Sequence, residues 1–126
     1  MTTKTKVDTF TRSYIDCAFW ASLDDDNVPF EDNYDHRDLA TDALAAIVED
    51  CKDFQESQAG LLEEAYKIGH YDVDQAGHDF WLTRNRHGAG FWDHGLDEVG
   101  RRLTDAAHVY GNSDLYVGDD GKVYIS

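Results

Sequence analysis

The sequence predicts a single α+β domain over residues 1–126, in which helices pack on a small antiparallel sheet. Apolar residues recur at three- and four-residue spacing in the first half of the chain and again near residue 100, as on the buried faces of helices. Two later segments, residues 78–93 and 115–125, alternate in polarity around turn residues, which is typical of hairpins. The 126 residues are 41% hydrophobic, which suffices for one core but not for two domains.

The first helix is predicted to run from Asp8 or Thr9, either of which can cap it, to about Ser22. Residues at helical spacing form its apolar face: Phe10, Tyr14, Cys17 or Ala18, and Ala21. Residues 1–7 precede this pattern and are expected to form a disordered tail.

A second helix is predicted to open between Leu39 and Asp42. Its apolar stripe consists of Leu44, Ile47, Val48, Cys51 and Phe54, and continues weakly through Leu61, Leu62 and Ala65. Gly60 can divide this segment, and Gly69 can cap its end. The first half of the chain therefore contains two or three helices.

The second half is predicted as hairpin, helix and hairpin. His78–Thr83 and Ala89–Asp93 would pair across turn residues 84–88. A helix follows, with Leu96, Val99, Leu103 and Ala106 or Ala107 on one face and Gly111 at its end. The last hairpin pairs residues 115–117 with residues 123–125 across the turn Gly118–Gly121.

The negative charge of the chain is concentrated in one region. Residues 23–64 carry fourteen carboxylates and two basic residues, Arg37 and Lys52, so they account for −12 of the formal net charge of −15. A field of this kind repels nucleic acid and anionic membranes and attracts basic surfaces. We therefore expect a basic protein partner, and neither direct nucleic-acid binding nor membrane binding.

The second helix displays a row of these carboxylates opposite its apolar stripe. The row consists of Asp42, Glu49, Asp53, Glu56 and Glu63, and Asp24, Asp25 and Asp26 lie in the preceding loop. Carboxylates a few ångströms apart imitate the charge track of a nucleic-acid strand and fit a groove built for phosphate. We predict these eight residues as the partner-binding site.

Two other interpretations of the acidic row stay open. A solvated acidic surface would serve solubility or adaptation to high salt, and twenty Asp against six Glu fit such an adaptation. Divalent-cation binding is the other, although residues 24–27 lack the alternating ligands and the glycine of a calcium loop.

The stretch HDFWLTRNRHGAGFWDHG, residues 78–95, is the least ordinary part of the chain. It can be a tight structural hairpin in which Arg84 and Arg86 bind acids of the 23–64 region, or a partner-binding tip, or a ligand or catalytic site. The candidate residues of such a ligand site are His78, Arg84, Asn85, His87 and Asp93.

No metal, cofactor or catalytic residue is predicted. His78, His87 and His94 could gather around an ion or water with Asp79 or Asp93, but their spacing matches no zinc pattern. The phosphate-binding loop, the nucleophile elbow and the HExxH motif are also missing from the sequence.

The sequence favours a cytoplasmic location. No apolar run approaches the roughly 20 residues of a membrane span, and no apolar segment of a signal peptide follows the first lysines. Cys17 and Cys51 lie among apolar neighbours in predicted helices, as buried reduced thiols do; a disulfide or metal role is the alternative.

Residues 78–95 and the later segment DLYVGDDGKVY resemble a family of small, uncharacterised accessory proteins of bacteriophages and plasmids. The resemblance covers most of the chain from Tyr14 onward and is most specific at residues 77–93 and 114–121. The resemblance implies the context of a phage or plasmid accessory protein, but it implies no activity and no site residue. Small acidic phage proteins of this kind are similar in size and charge to anti-restriction and anti-CRISPR proteins, several of which mimic DNA.

These observations lead to one main hypothesis and two alternatives. The main hypothesis is a non-enzymatic phage or mobile-element protein that binds and inhibits a nucleic-acid-binding host protein, such as a defence nuclease or a CRISPR effector, by DNA mimicry. The first alternative is a small enzyme or ligand-binding domain centred on residues 78–94. The second is an accessory homo-oligomer, such as a homodimer, whose acidity serves only solubility.

Overall fold

The computed structural model describes residues 7–87 and 89–126, and this part of the chain confirms the α+β class. Five α-helices dominate it, followed by one antiparallel strand pair. The elements are α1 (Thr9–Ala21), α2 (Thr41–Ser57), α3 (Ala59–Tyr66), α4 (Val73–Arg84), α5 (Asp97–His108), β1 (Leu115–Val117) and β2 (Val123–Ile125). Single turns of 3-10 helix occur at Phe30–Asp32, His36–Asp38 and Phe91–Asp93.

The start of α1 agrees with the prediction. The side chain of Asp8 accepts a hydrogen bond from the Thr11 backbone N–H at 2.8 Å, which satisfies one of the free donors of the first turn. The predicted apolar face is buried, with Phe10, Tyr14 and Cys17 at most 1% exposed. This face packs on α4.

The close contact between α1 and α4 depends on a glycine. A Cβ atom built on Gly77 would lie 2.1 Å from the carbonyl oxygen of Phe10. No side chain fits at that distance, so the backbones of the two helices approach each other directly.

The predicted hairpin over residues 78–93 is wrong, because residues 73–84 form α4. The side chain of Asp72 caps this helix by accepting from the Gln75 N–H at 2.9 Å. Phe80, Trp81 and Leu82 follow one another and are all buried. A helix that is buried on nearly every side has no polar face to reveal its period, so its sequence reads like a buried strand. Gly88, assigned to the hairpin turn, lies outside the described residues.

The break after α2 differs in detail from the prediction. Ile47, Cys51 and Phe54 are buried as expected. However, α2 ends at Ser57 and Gln58 connects it to α3. Gly60 therefore lies inside α3 and does not separate α2 from α3. The C-cap residue of α3 is Lys67 and not the predicted Gly69.

The last helix and the last hairpin are confirmed, although α5 ends at His108 with Val109 as its C-cap residue and not at the predicted Gly111. Leu103 and Ala107 of α5 are fully buried. Strand β1 pairs with β2 with Leu115 opposite Ile125 and Val117 opposite Val123, and the Gly118 N–H closes the turn on the Lys122 carbonyl at 2.8 Å.

Most of the core lies between the helices. The ring of Phe54 on α2 stacks on Phe80 of α4, with centroids 4.2 Å apart, and on Phe91, with centroids 5.7 Å apart. The sheet adds Leu115 and Val123 to the core. The helices therefore pack mainly on one another and less on the sheet than predicted.

Three smaller predictions can be compared with the structure. Residues 1–6 of the expected tail lie outside the described residues, whereas Val7 packs half-buried against the core and belongs to the fold. Cys17 and Cys51 are buried and unpaired, and burial, with a contribution from Asp79, raises the pKa of Cys17 to about 12. In the described part of the chain, no helix has the length and apolar content needed to cross a bilayer.

Candidate functional site

The acidic face of α2, which we define as Asp42, Glu49, Asp53 and Glu56, is exposed along the helix. It results from the helical period, since Ile47, Cys51 and Phe54 turn the opposite side of α2 into the core. At about 1.5 Å per residue, the four carboxylates extend over about 21 Å of helix axis. The first candidate site is therefore a linear array of negative charge on a rigid element.

Little positive charge offsets this face within its own helix. Lys52 is the only basic residue of α2, and its Nζ lies 4.0 Å from Glu56 in an exposed pair. Exposed ion pairs of this kind contribute little free energy, so the negative charge of Glu56 is hardly compensated. Asp50 differs from the face residues because it is half-buried and binds Arg84 at 2.9 Å.

Asp53 has a structural contact in addition to its exposure. The hydroxyl of Tyr110 donates a short hydrogen bond to its carboxylate. Burial, reinforced by this bond, raises the pKa of Tyr110 to about 12. Asp53 is thus held in place by the residues after α5, whereas Glu49 has no such contact among the hydrogen bonds and ion pairs of the described residues.

Glu63 does not extend the acidic face as predicted. Because the chain breaks at Gln58, Glu63 lies on α3 and not on a continuation of α2. It is exposed there. The sevenfold spacing in the sequence therefore ends structurally at Glu56.

Asp24, Asp25 and Asp26 lie in the turn that follows α1. Asp24 accepts hydrogen bonds from the backbone N–H groups of Asp26 at 2.9 Å and Val28 at 3.0 Å, so it shapes the turn. Asp25 and Asp26 are exposed. Asp24 and Asp25 also line a cleft against β1, so this acidic turn belongs to a different surface from the face of α2.

The structure does not assemble the predicted ligand site of residues 78–93. Within residues 7–87 and 89–126, no side-chain hydrogen bond or ion pair joins any two of its five members, and no group of His, Cys, Asp and Glu side chains is arranged to hold a metal ion. Each residue has another role. His78 packs on Trp20, with ring centroids 5.5 Å apart, and His87 is exposed.

The three remaining residues stabilise the fold. Arg84 is buried and binds Asp50, as predicted for it, but Arg86 is exposed and forms no ion pair among the described residues, and the hairpin that was to hold both is a helix. Asn85 donates to the Trp81 carbonyl at 3.0 Å and accepts from the Ser113 N–H at 2.8 Å. Asp93 accepts from the Gly90 N–H at 3.3 Å.

A different polar cluster is present near α4, around the fully buried carboxylate of Asp79. Tyr71 donates its hydroxyl to Asp79 at 2.7 Å, Gln75 donates its amide at 3.1 Å, and the Nε2 atom of His94 lies 3.0 Å away. Burial raises the pKa of Asp79 above its usual value, against the opposing effect of these partners. The cluster fixes the loop that carries His94 to α4.

Sequence reasoning considered Asp79 and His94 together but missed Tyr71 and Gln75. Gln75 and Asp79 lie four residues apart on α4, which places them on the same face of the helix, whereas Tyr71 precedes the helix and reaches Asp79 through the tertiary fold. Assigning strands to this segment hid that signal.

Comparisons of the chain with protein-family profiles, with curated proteins and with solved structures found no match.

Proposed function

We propose that this protein is a non-enzymatic acidic binding protein of a phage or another mobile element. In this proposal it binds and inhibits a basic, nucleic-acid-binding protein in the cytoplasm of the host cell, such as a defence nuclease or a CRISPR effector. The observation that supports the proposal is the exposed acidic face of α2, with Lys52 as its only basic neighbour on that helix.

The spacing of this face suits a groove that normally holds phosphates. Glu49, Asp53 and Glu56 follow one another at about 4.5–6 Å along the helix axis, and one strand of duplex DNA carries a phosphate every 3.4 Å or so. A basic groove would thus meet negative charges, as it does on phosphates, although at a lower density than one DNA strand provides. Association would be steered electrostatically and would weaken as salt rises.

The alternatives have less support. Arg84 and Asn85, two of the five residues of the predicted ligand site, are engaged in bonds within the fold. Self-association of a chain with a formal charge of −15 would bring like charges together.

The test is a pull-down from a bacterial host lysate with the tagged full chain and a double charge reversal, Glu49→Lys with Glu56→Lys. We expect the wild-type chain to retain a basic nucleic-acid-binding protein at low salt, to release it at about 0.5 M salt because of screening, and to release it on addition of duplex DNA. The double variant should retain much less of that protein.

The matched control is Glu31→Lys with Asp105→Lys, which changes the net charge by the same amount at exposed positions away from α2. It should behave like the wild type. Equal retention by the Glu49/Glu56 variant, or no basic protein retained by the wild type, would contradict the proposal.

A further inference from the structure

We propose that the outer edge of β1 is a docking site for an extended, basic segment of the partner protein, which adds to the sheet as a third strand. This deepens the proposed function and rests on it for the basic character of the partner.

Alternation along β1 points two residues away from β2. Gly118 donates its N–H to Lys122 at 2.8 Å, and Asp114 accepts from the Ser126 N–H at 3.0 Å, so these positions face the partner strand. In an antiparallel pair, the residues between such positions turn their backbone groups outward. Leu115 and Val117 therefore present their N–H and C=O groups at the outer edge.

The two edges of the sheet differ. At the edge of β2, the outward carbonyl of Val123 accepts a hydrogen bond from the Ala40 N–H at 2.9 Å, so the segment before α2 covers it. At the edge of β1, no backbone or side-chain hydrogen bond reaches Leu115 or Val117 from the residues that the structure describes. Leu115 is itself only 8% exposed, so the accessible part of this edge lies at Val117. An edge without hydrogen bonds is a template for an added strand.

The surface beside this edge is apolar. Leu23 is 56% exposed, Tyr116 49% and Val117 37%. Leu23, Asp24 and Phe30 line one side of a cleft and β1 lines the other, while the ring of Tyr116 stacks on Tyr124 with centroids 5.7 Å apart. Exposed apolar side chains that share a cleft are typical of an interaction surface, and they provide contacts for the side chains of an added strand.

The negative charge around the cleft indicates that the segment that binds there is basic. Six carboxylates and one lysine lie in the acidic turn and in the hairpin with its flanks: Asp24, Asp25, Asp26, Asp114, Asp119, Asp120 and Lys122. A second copy of the chain would place two such sets side by side, which like-charge repulsion disfavours. A segment that alternates apolar and basic side chains matches both the cleft and its rim.

The first experiment uses the ¹⁵N-labelled full chain and a blocked eight-residue peptide of alternating lysine and valine. We expect titration to shift the amide signals of Leu115 and Val117, because their N–H groups gain acceptors. A second peptide keeps the same side chains and charge but carries an N-methyl group on every backbone nitrogen, so it has no backbone donor to offer an edge. It should bind far more weakly. Equal binding of the two peptides would overturn the proposal, since charge alone would then explain it.

The decisive variant is Val117→Pro, compared with Val117→Thr. Proline removes the outward N–H of residue 117 and breaks no bond to β2, whereas threonine keeps the N–H and the branched shape. The variant loses the hydrogen bond of the residue 117 N–H to the peptide and weakens the adjacent hydrogen bond along the edge. This should weaken peptide binding roughly tenfold. Threonine should change it little. If the amide spectrum shows that Val117→Pro has lost the hairpin, the variant Asp25→Lys is used in its place. This charge reversal at an exposed position should weaken peptide binding roughly threefold.

The same variants separate this proposal from the previous one. In the lysate pull-down, loss of the basic protein with Val117→Pro supports the edge as its docking site, and retention overturns this inference alone. Loss with Val117→Pro but not with the Glu49/Glu56 reversal would overturn the acidic-face proposal alone. Dimerisation of the wild type through β1, detected by sedimentation and removed by Val117→Pro, would assign the edge to a second copy and overturn the basic occupant.

Discussion

Arg84 is the residue that joins most of the helices to one another. Its Nη1 atom donates to the Tyr14 hydroxyl at 3.0 Å and to Asp50 at 2.9 Å, while Nε and Nη2 donate to the carbonyls of Gly111 and Tyr110 at 2.9 and 3.1 Å. Although burial disfavours its charged form, Tyr14 and Asp50 raise the pKa of Arg84 above its usual value. One side chain thus ties α1, α2 and the end of α5 to α4.

We expect Arg84→Met to lower the free energy of unfolding by about 3 kcal/mol, because the buried Tyr14 hydroxyl and the half-buried carbonyls of Tyr110 and Gly111 would lose their donor. Asp50→Asn should cost about 1 kcal/mol or less, since that carboxylate is half-exposed and its amide still accepts. Urea unfolding followed by circular dichroism measures both. A larger loss for Asp50→Asn than for Arg84→Met would show that the ion pair, and not the carbonyl network, carries the stability.

The sequence could indicate part of this role. The sequence suggested that Arg84 and Arg86 bind acids of residues 23–64, and the pair of Arg84 with Asp50 is present. The bonds to Tyr110 and Gly111 could not be predicted, because they depend on how α5 ends against α4.

Among the elements, α4 is the one on which the fold depends and the one that the sequence described least well. Its closest neighbour is α1, and Gly77 sets the distance between them. Gly60 on α3 provides a natural comparison, since nothing lies within 4 Å of a Cβ built there.

Gly77→Ala should destabilise the protein by about 1–3 kcal/mol, because the added methyl group collides with the Phe10 carbonyl and forces the helices apart. Gly60→Ala should stabilise it by about 0.5 kcal/mol, since alanine loses less backbone entropy in a helix. Thermal unfolding of the two variants tests this. Equal effects of the same sign would contradict the close packing of α1 on α4.

Whether a helix could be predicted from the sequence depended on whether one of its faces is exposed to solvent. Helices α1, α2 and α5 each have one buried and one solvated face, so their apolar residues reveal the helical period. Helix α4 has apolar and polar residues buried side by side, including Asp79 and Thr83, so its period is masked. The final hairpin was predictable because its glycines mark the turn.

At the scale of the whole molecule, a formal charge of −15 on 126 residues opposes the folded state. Folding brings the carboxylates closer together than in the extended chain, and their repulsion is screened by salt. Most of the ion pairs in the described part are exposed and contribute little.

We therefore expect the melting temperature to rise as sodium chloride is increased from about 0.05 to about 0.5 M, because screening reduces the repulsion. The Glu49→Lys/Glu56→Lys variant, whose formal charge is −11 because each reversal adds two to −15, should show a smaller rise. Differential scanning calorimetry at several salt concentrations measures both. A fall in the melting temperature of the wild type would mean that attractive pairs outweigh repulsion.

The acidic character of the candidate site could be predicted from composition, but the arrangement of its carboxylates could be predicted only in part. Helical spacing predicted the exposed carboxylates from Asp42 to Glu56, but the break at Gln58, which removes Glu63, has no turn residue to announce it. That Asp24 and Asp25 face β1 is a tertiary relation between residues distant in sequence, and local patterns do not contain it.

The bond between the Ala40 N–H and the Val123 carbonyl has a consequence for the order of folding. It joins the residue before α2 to the last strand, across most of the chain, and such distant contacts form late. During synthesis, the start of α2 remains without this anchor until β2 has left the ribosome. The start of α2, which carries Asp42, therefore reaches its final position only after the residues of β2 have been made.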